Sequence, residues 1–97
     1  DLGGTILAWE AWKKAVAGQT LEPKDGLSPE QRFFVGFAQW VCENQRPEEL
    51  RVSAATNPHS PGVWRINGVV ANMPEFAEAF SCKPGQPMVR ANVCKIW

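Results

Sequence analysis

The 97-residue chain is predicted to be mainly α-helical, and three observations predict it. Leu2, Ile6, Trp9 and Val16 recur at helical spacing along the first segment. Ser28, Pro29 and Gln31 stand at the cap, first and third positions of a helix start. Pro47 and Pro74 each stand where a further helix would open.

The first helix is expected from about Leu2 to Ala17. Its stripe is broadened by Ala8, Trp12 and Ala15, while Glu10 and Lys14 form an i,i+4 pair on the wetter face. Gly18 is a natural stop. Gly3-Gly4 in the first turn costs helix propensity and points to close approach of another backbone, or to a helix that starts earlier. Gln19 to Leu27, with Pro23 and Asp25-Gly26, reads as a loop. The second helix runs from Pro29 to about Glu43. Phe33, Phe34, Phe37, Ala38, Trp40 and Val41 cover more than one of its faces and predict a mostly buried helix. A short third helix extends from Pro47 to about Ala55. Residues 62–71 are open between two readings. Val63, Ile66, Val69 and Val70 fit a helix face, whereas β-branched content and Asn67-Gly68 suit a strand or turn. Asn72 and Glu75 then occupy capping-box positions ahead of Phe76, Ala79 and Phe80, and Lys83 to Pro87 forms a loop.

Ten basic and ten acidic side chains cancel, so no global field favours nucleic acid or an anionic membrane. No apolar run approaches a membrane span, and no leader pattern precedes a cleavage site. The start at Asp1, without Met, fits a processed chain or a piece of a longer one. Five Trp and five Phe are more aromatic surface than a chain this short readily buries. Either the core is Trp-rich, or some aromatics pack against further chain. Cys42, Cys82 and Cys94 are an odd set without metal-ligand spacing. They are three free thiols, or half-cystines whose partners lie elsewhere.

The single histidine, His59, lies in Asn57-Pro58-His59-Ser60-Pro61-Gly62-Val63-Trp64-Arg65. Pro58 and Pro61 stiffen the stretch by fixing their own φ and restricting the residues before them. A rigid loop carrying a titratable donor and a permanent cation can hold a carbonyl or a developing oxyanion. The alternatives are a structural histidine and a surface ion pair for Arg65.

Four ordered segments resemble the C-terminal end of the neprilysin family of zinc metallopeptidases, which includes the endothelin-converting enzymes. They are Asp1-Leu2-Gly3-Gly4, Glu30-Gln31-Arg32-Phe33-Phe34 through Gln39, Asn57 to Arg65, and the terminal Cys94-x-x-Trp97. Asn72-Met73-Pro74-Glu75-Phe76 and Phe80-x-Cys82-Lys83-Pro84-Gly85 reinforce them. The resemblance covers essentially the whole chain.

It implies that the chain is the C-terminal helical part of a thermolysin-like (zincin) metallopeptidase catalytic domain, and not a complete domain. The zinc-binding helices, with H-E-x-x-H and the Glu of E-x-x-x-D, would lie upstream, so zinc would be bound by the parent and not by this chain. Asp1 matches the final Asp of E-x-x-x-D, which supports a zinc-ligating histidine; its other reading is an ordinary helix cap. His59 matches the histidine that stabilises the oxyanion, and Arg65 the arginine that holds the substrate backbone. Trp40 and Val41 stand where the family lines a substrate side-chain pocket, in an order inverted from neprilysin's valine then tryptophan. Core packing is the other role for at least one of them. Cys42, Cys82 and Cys94 match cysteines that pair with upstream partners, which would place the parent in an oxidising compartment: extracellular, periplasmic or a membrane-anchored ectodomain.

The function implied is a fragment of a zinc-dependent metalloendopeptidase acting on peptides, inactive by itself, whose partner is the upstream remainder of the same polypeptide. Two rivals stay open. One is a self-contained Trp-rich peptide-binding module without catalysis. The other is a small secreted scaffold stapled by its own cysteines.

Overall fold

The computed structural model describes residues 1–96; Trp97, the last position of the Cys94-x-x-Trp97 ending, lies outside the described residues. Five helices follow one another: α1 (Leu2–Ala15), α2 (Pro29–Gln39), α3 (Pro47–Thr56), α4 (Gly62–Val70) and α5 (Pro74–Ala79). Among the described residues there is no β-strand beyond a single bridge between Lys24 and Leu27. That bridge closes a tight turn at Asp25-Gly26, both at positive φ (55° and 74°), as a two-residue type I′ turn requires. Residues 62–71, open between helix and strand, form α4 and its C-terminal turn.

The core is where α1, α2, α4 and α5 meet. Trp9, Phe34, Val69, Val70 and Met73 are its buried centre. The Trp9 and Phe34 rings stack at 5.1 Å and 22°, while Phe33 meets Trp9 edge-on and Phe76 meets Phe34 edge-on at 5.4 Å. Rings in offset-stacked and edge-to-face arrangements contribute beyond their buried area. The first helix follows its predicted stripe, with Trp9 buried and Leu2, Ile6, Trp12 and Val16 half-buried. Gln31 does double duty in α2. Its side-chain oxygen accepts from the Ser28 amide (2.9 Å), completing the capping box, and its amide donates to the Ala79 carbonyl of α5 (2.9 Å).

Four sequence expectations are corrected. The second helix ends at Gln39 rather than near Glu43, passing through a turn at Trp40-Val41. It is also far from mostly buried: only Phe34 is, because α1, α4 and α5 cover the side carrying Phe34 and leave Val35, Gly36 and Trp40 exposed. Asn72 does not cap α5; the cap position is Met73 and no side chain serves it. Instead the Asn72 amide donates to the Gly68 carbonyl (2.7 Å) and its oxygen accepts from the Cys94 amide (2.9 Å). Buried amides satisfy themselves wherever partners exist, and here α4 and the tail supply both. Glu10 and Lys14 form no ion pair among the described residues, in keeping with how little such exposed pairs gain.

The third helix stands apart, with no buried residue. Among the described residues no helix is long and apolar enough to cross a membrane.

Candidate functional site

Three predicted site residues converge at one end of the core: Asp1, Trp40 and Arg65. Arg65 lies in the first turn of α4, and its guanidinium reaches the N-terminus of α1. Its Nε donates to Asp1 Oδ2 (2.7 Å) and its Nη2 to Asp1 Oδ1 (2.9 Å), a side-on bidentate pair. The side chains are 19% and 32% exposed, so the pair is sheltered but open on one side. The indole of Trp40, at the C-terminal end of α2, lies under the guanidinium with 4.5 Å between ring centre and Cζ. A planar cation over an aromatic face is held in plane while its edges stay available.

The consequence is a guanidinium fixed on one edge and one face. Nε and one N–H of Nη2 are committed to Asp1. Among the described residues the two N–H groups of Nη1 and the outer N–H of Nη2 have no acceptor. Asp1 does not act as a cap through its side chain, because no capping hydrogen bond is formed. Its carboxylate spends one lone pair per oxygen on Arg65 and retains acceptor capacity for a second donor.

Beside this pair opens an apolar cavity of about 430 Å³ lined by Asp1, Gly4, Ala8, Phe33, Phe37 and Trp40. Among the described residues nothing comes within 4 Å of where a Gly4 Cβ would stand, so at Gly4 none of them makes the close approach that the sequence suggested. Val41 turns elsewhere. It lines a second cavity of about 340 Å³, with Leu50, Pro61, Val63 and Ile66, between the end of α2 and the α3–α4 junction. The adjacent residues Trp40 and Val41 therefore serve separate cavities.

His59 stands on the exposed loop between α3 and α4. The backbone N–H of His59 donates to Asn57 Oδ1 (2.9 Å), an Asx turn that fixes the loop ahead of Pro61. Among the described residues its imidazole makes no hydrogen bond or ion pair, and the Asp1–Arg65–Trp40 group does not include it. The thiols of Cys42, Cys82 and Cys94 are free, Cys42 and Cys94 being exposed. Among the described residues no group of three or more His, Cys, Asp or Glu side chains could hold a metal ion, so this stretch does not fit a zinc site of its own.

Sequence reasoning missed the Asp1–Arg65 pair, because nothing local signals a contact across 64 positions. It also missed Glu43, whose Oε1 accepts from the Gly62 amide (3.1 Å). A signal for that bond did exist: Pro61, preceding α4, has no side-chain acceptor to satisfy the first amides of the helix.

The chain matches the profile of peptidase family M13 over residues 1–96. It is 43% identical to endothelin-converting enzyme 1 of Mus musculus, over the whole of this chain and 13% of that protein. Neprilysin-1 of Caenorhabditis elegans is 42% identical to it, again over the whole chain and 14% of the relative. Among solved structures, the zinc metalloprotease Zmp1 of Mycobacterium tuberculosis in its open state superposes with a TM-score of 0.89 at 34% identity. That superposition covers 99% of this chain and 15% of Zmp1. The chain thus spans about 13–15% of the length of these relatives.

Proposed function

Since the chain belongs to peptidase family M13, we propose that it is the substrate-gripping C-terminal part of the catalytic domain of a zinc metalloendopeptidase. The single observation that carries this reading is Arg65. A guanidinium anchored by Asp1 and stacked on Trp40, with donors to spare, is preorganised to donate to a peptide carbonyl. A mobile surface arginine would lose that ordering entropy at each binding event.

Around Arg65 the remaining roles follow. His59, on its stiffened loop and with its imidazole unpartnered among the described residues, donates to the oxyanion that forms when the peptide carbonyl is attacked. Asp1 holds Arg65 and, with its spare acceptor capacity, steadies an imidazole of the zinc site. Trp40 forms one wall of the substrate cleft, while Val41 serves the separate cavity at the α3–α4 junction. Zinc, held by residues outside these 97, supplies an activated water. Cys42, Cys82 and Cys94 pair with cysteines in the rest of the polypeptide, in an extracellular, periplasmic or membrane-anchored ectodomain setting.

The test is Arg65→Ala in the full-length enzyme. Loss of a hydrogen bond to a charged group corresponds to roughly a ten-fold to hundred-fold rise in KM. Zinc content should be unchanged. An unaltered KM would remove the clamp role.

A further inference from the structure

We infer that Glu43 is a positioning residue for Arg65, acting through the start of α4; the inference rests on the clamp reading of Arg65. The N-terminus of α4 is short of acceptors. Pro61 occupies its cap position and has no side-chain oxygen, so the first amides of the helix have no local partner there. The Trp64 and Arg65 amides turn back to the Pro61 carbonyl (3.0 and 3.2 Å), leaving those of Gly62 and Val63 at the open end. Glu43 supplies the acceptor from another element, its Oε1 taking the Gly62 amide at 3.1 Å. Its negative charge also suits the positive end of the helix.

The fit at Gly62 is close. A Cβ there would come within 2.7 Å of Glu43 Oε1 and 3.1 Å of the Val41 carbonyl. A side chain here would push the Glu43 carboxylate off the Gly62 amide and press on the Val41 carbonyl. Gly62 is buried for the same reason.

The bond also closes a ring. Residues 44–61, comprising α3 and the His59 loop, leave the body after Glu43 and return at Gly62. Among the described residues the only other side-chain hydrogen bond between that excursion and the body is again to Glu43, whose Oε2 accepts from Gln45 Nε2 (3.3 Å), and α3 buries none of its residues. Glu43 therefore sets where α4 begins, and Arg65 sits three residues into that helix. A shift of the first turn moves the guanidinium relative to Asp1 and Trp40, and displacements of this kind cost binding geometry.

The experiment compares E43A, E43Q, G62A, R65A and the E43A/R65A double variant in the full-length, zinc-loaded enzyme, measuring KM, kcat and zinc content. E43A should raise KM about five-fold, the size of losing one cap interaction, with kcat and zinc content unchanged. The carbonyl of E43Q still accepts from Gly62 and should restore most of the affinity, while G62A should reproduce E43A. In the R65A background, E43A should add nothing further to KM. A wild-type KM for E43A beside an impaired R65A overturns the positioning role alone. So do additive effects in the double variant, or an E43A enzyme that loses zinc or kcat instead of affinity. A normal R65A enzyme removes the clamp reading and this inference with it. Amide exchange at Gly62 gives a readout independent of catalysis: E43A must accelerate it, and unchanged protection overturns the cap.

Discussion

Arg65 shows how a half-buried cation is given a fixed orientation. Its guanidinium is bonded along one edge and stacked on one face, so its free donors point in a fixed direction. The Asp1 pair itself is worth only on the order of 1 kcal/mol in so open a setting. Its value lies in orientation rather than in stability. His59 is built on the opposite plan, with the backbone restrained by an Asx turn and the side chain unpartnered among the described residues. His59→Phe in the full-length enzyme should lower kcat by roughly a hundred-fold, the weight of one oxyanion donor, with a smaller effect on KM. Steady-state kinetics with a peptide substrate provide the check, and equal loss in both parameters would contradict the role.

At the level of elements, the helix starts carry the most information. The capping box at Ser28-Pro29-Gln31 is legible because its residues and their partners are neighbours in sequence. The same pattern at Asn72 to Glu75 misleads, because buried Asn72 finds better partners in Gly68 and Cys94. Local chemistry proposes a cap, and tertiary contacts decide it. Gln31→Ala should therefore be more damaging than Ser28→Ala. The first loses a cap bond and the bridge to Ala79; the second loses a cap bond worth about 1 kcal/mol and a bond to Glu30 within the same turn, but nothing to α5. Amide exchange in the first turn of α2 and around Ala79 distinguishes them. Only Gln31→Ala should loosen both places.

Across the molecule, what could be read early was the helical class, the α1 stripe, the capped start of α2 and the α3 start at Pro47. What could not were the distances that close only in three dimensions. Arg65 reaching Asp1 and Glu43 reaching Gly62 leave no periodic trace. The aromatic load divides as the composition suggested: Trp9 is buried, whereas Trp40 and Trp64 are 58% and 69% exposed. Leu7, Val52 and Val63 are exposed as well. Surface of this kind on a peptidase fragment predicts that the 97 residues alone unfold with little cooperativity, show red-shifted Trp emission and have no zinc-dependent turnover. A sharp transition with buried-type emission would instead favour an independent peptide-binding module. Non-reducing mass analysis showing an internal bridge, for example between Cys82 and Cys94, would favour a self-stapled scaffold.

The span of the Asp1–Arg65 pair has a consequence for folding order. Contacts between distant positions form only after the intervening chain has paid its loop-closure entropy, so this one belongs among the last events. Interactions made after the transition state slow unfolding without speeding folding. On the proposed clamp role of Arg65, the grip is a late latch: a chain whose helices have formed but not yet closed on one another carries Arg65 loose, without the orientation that Asp1 gives it.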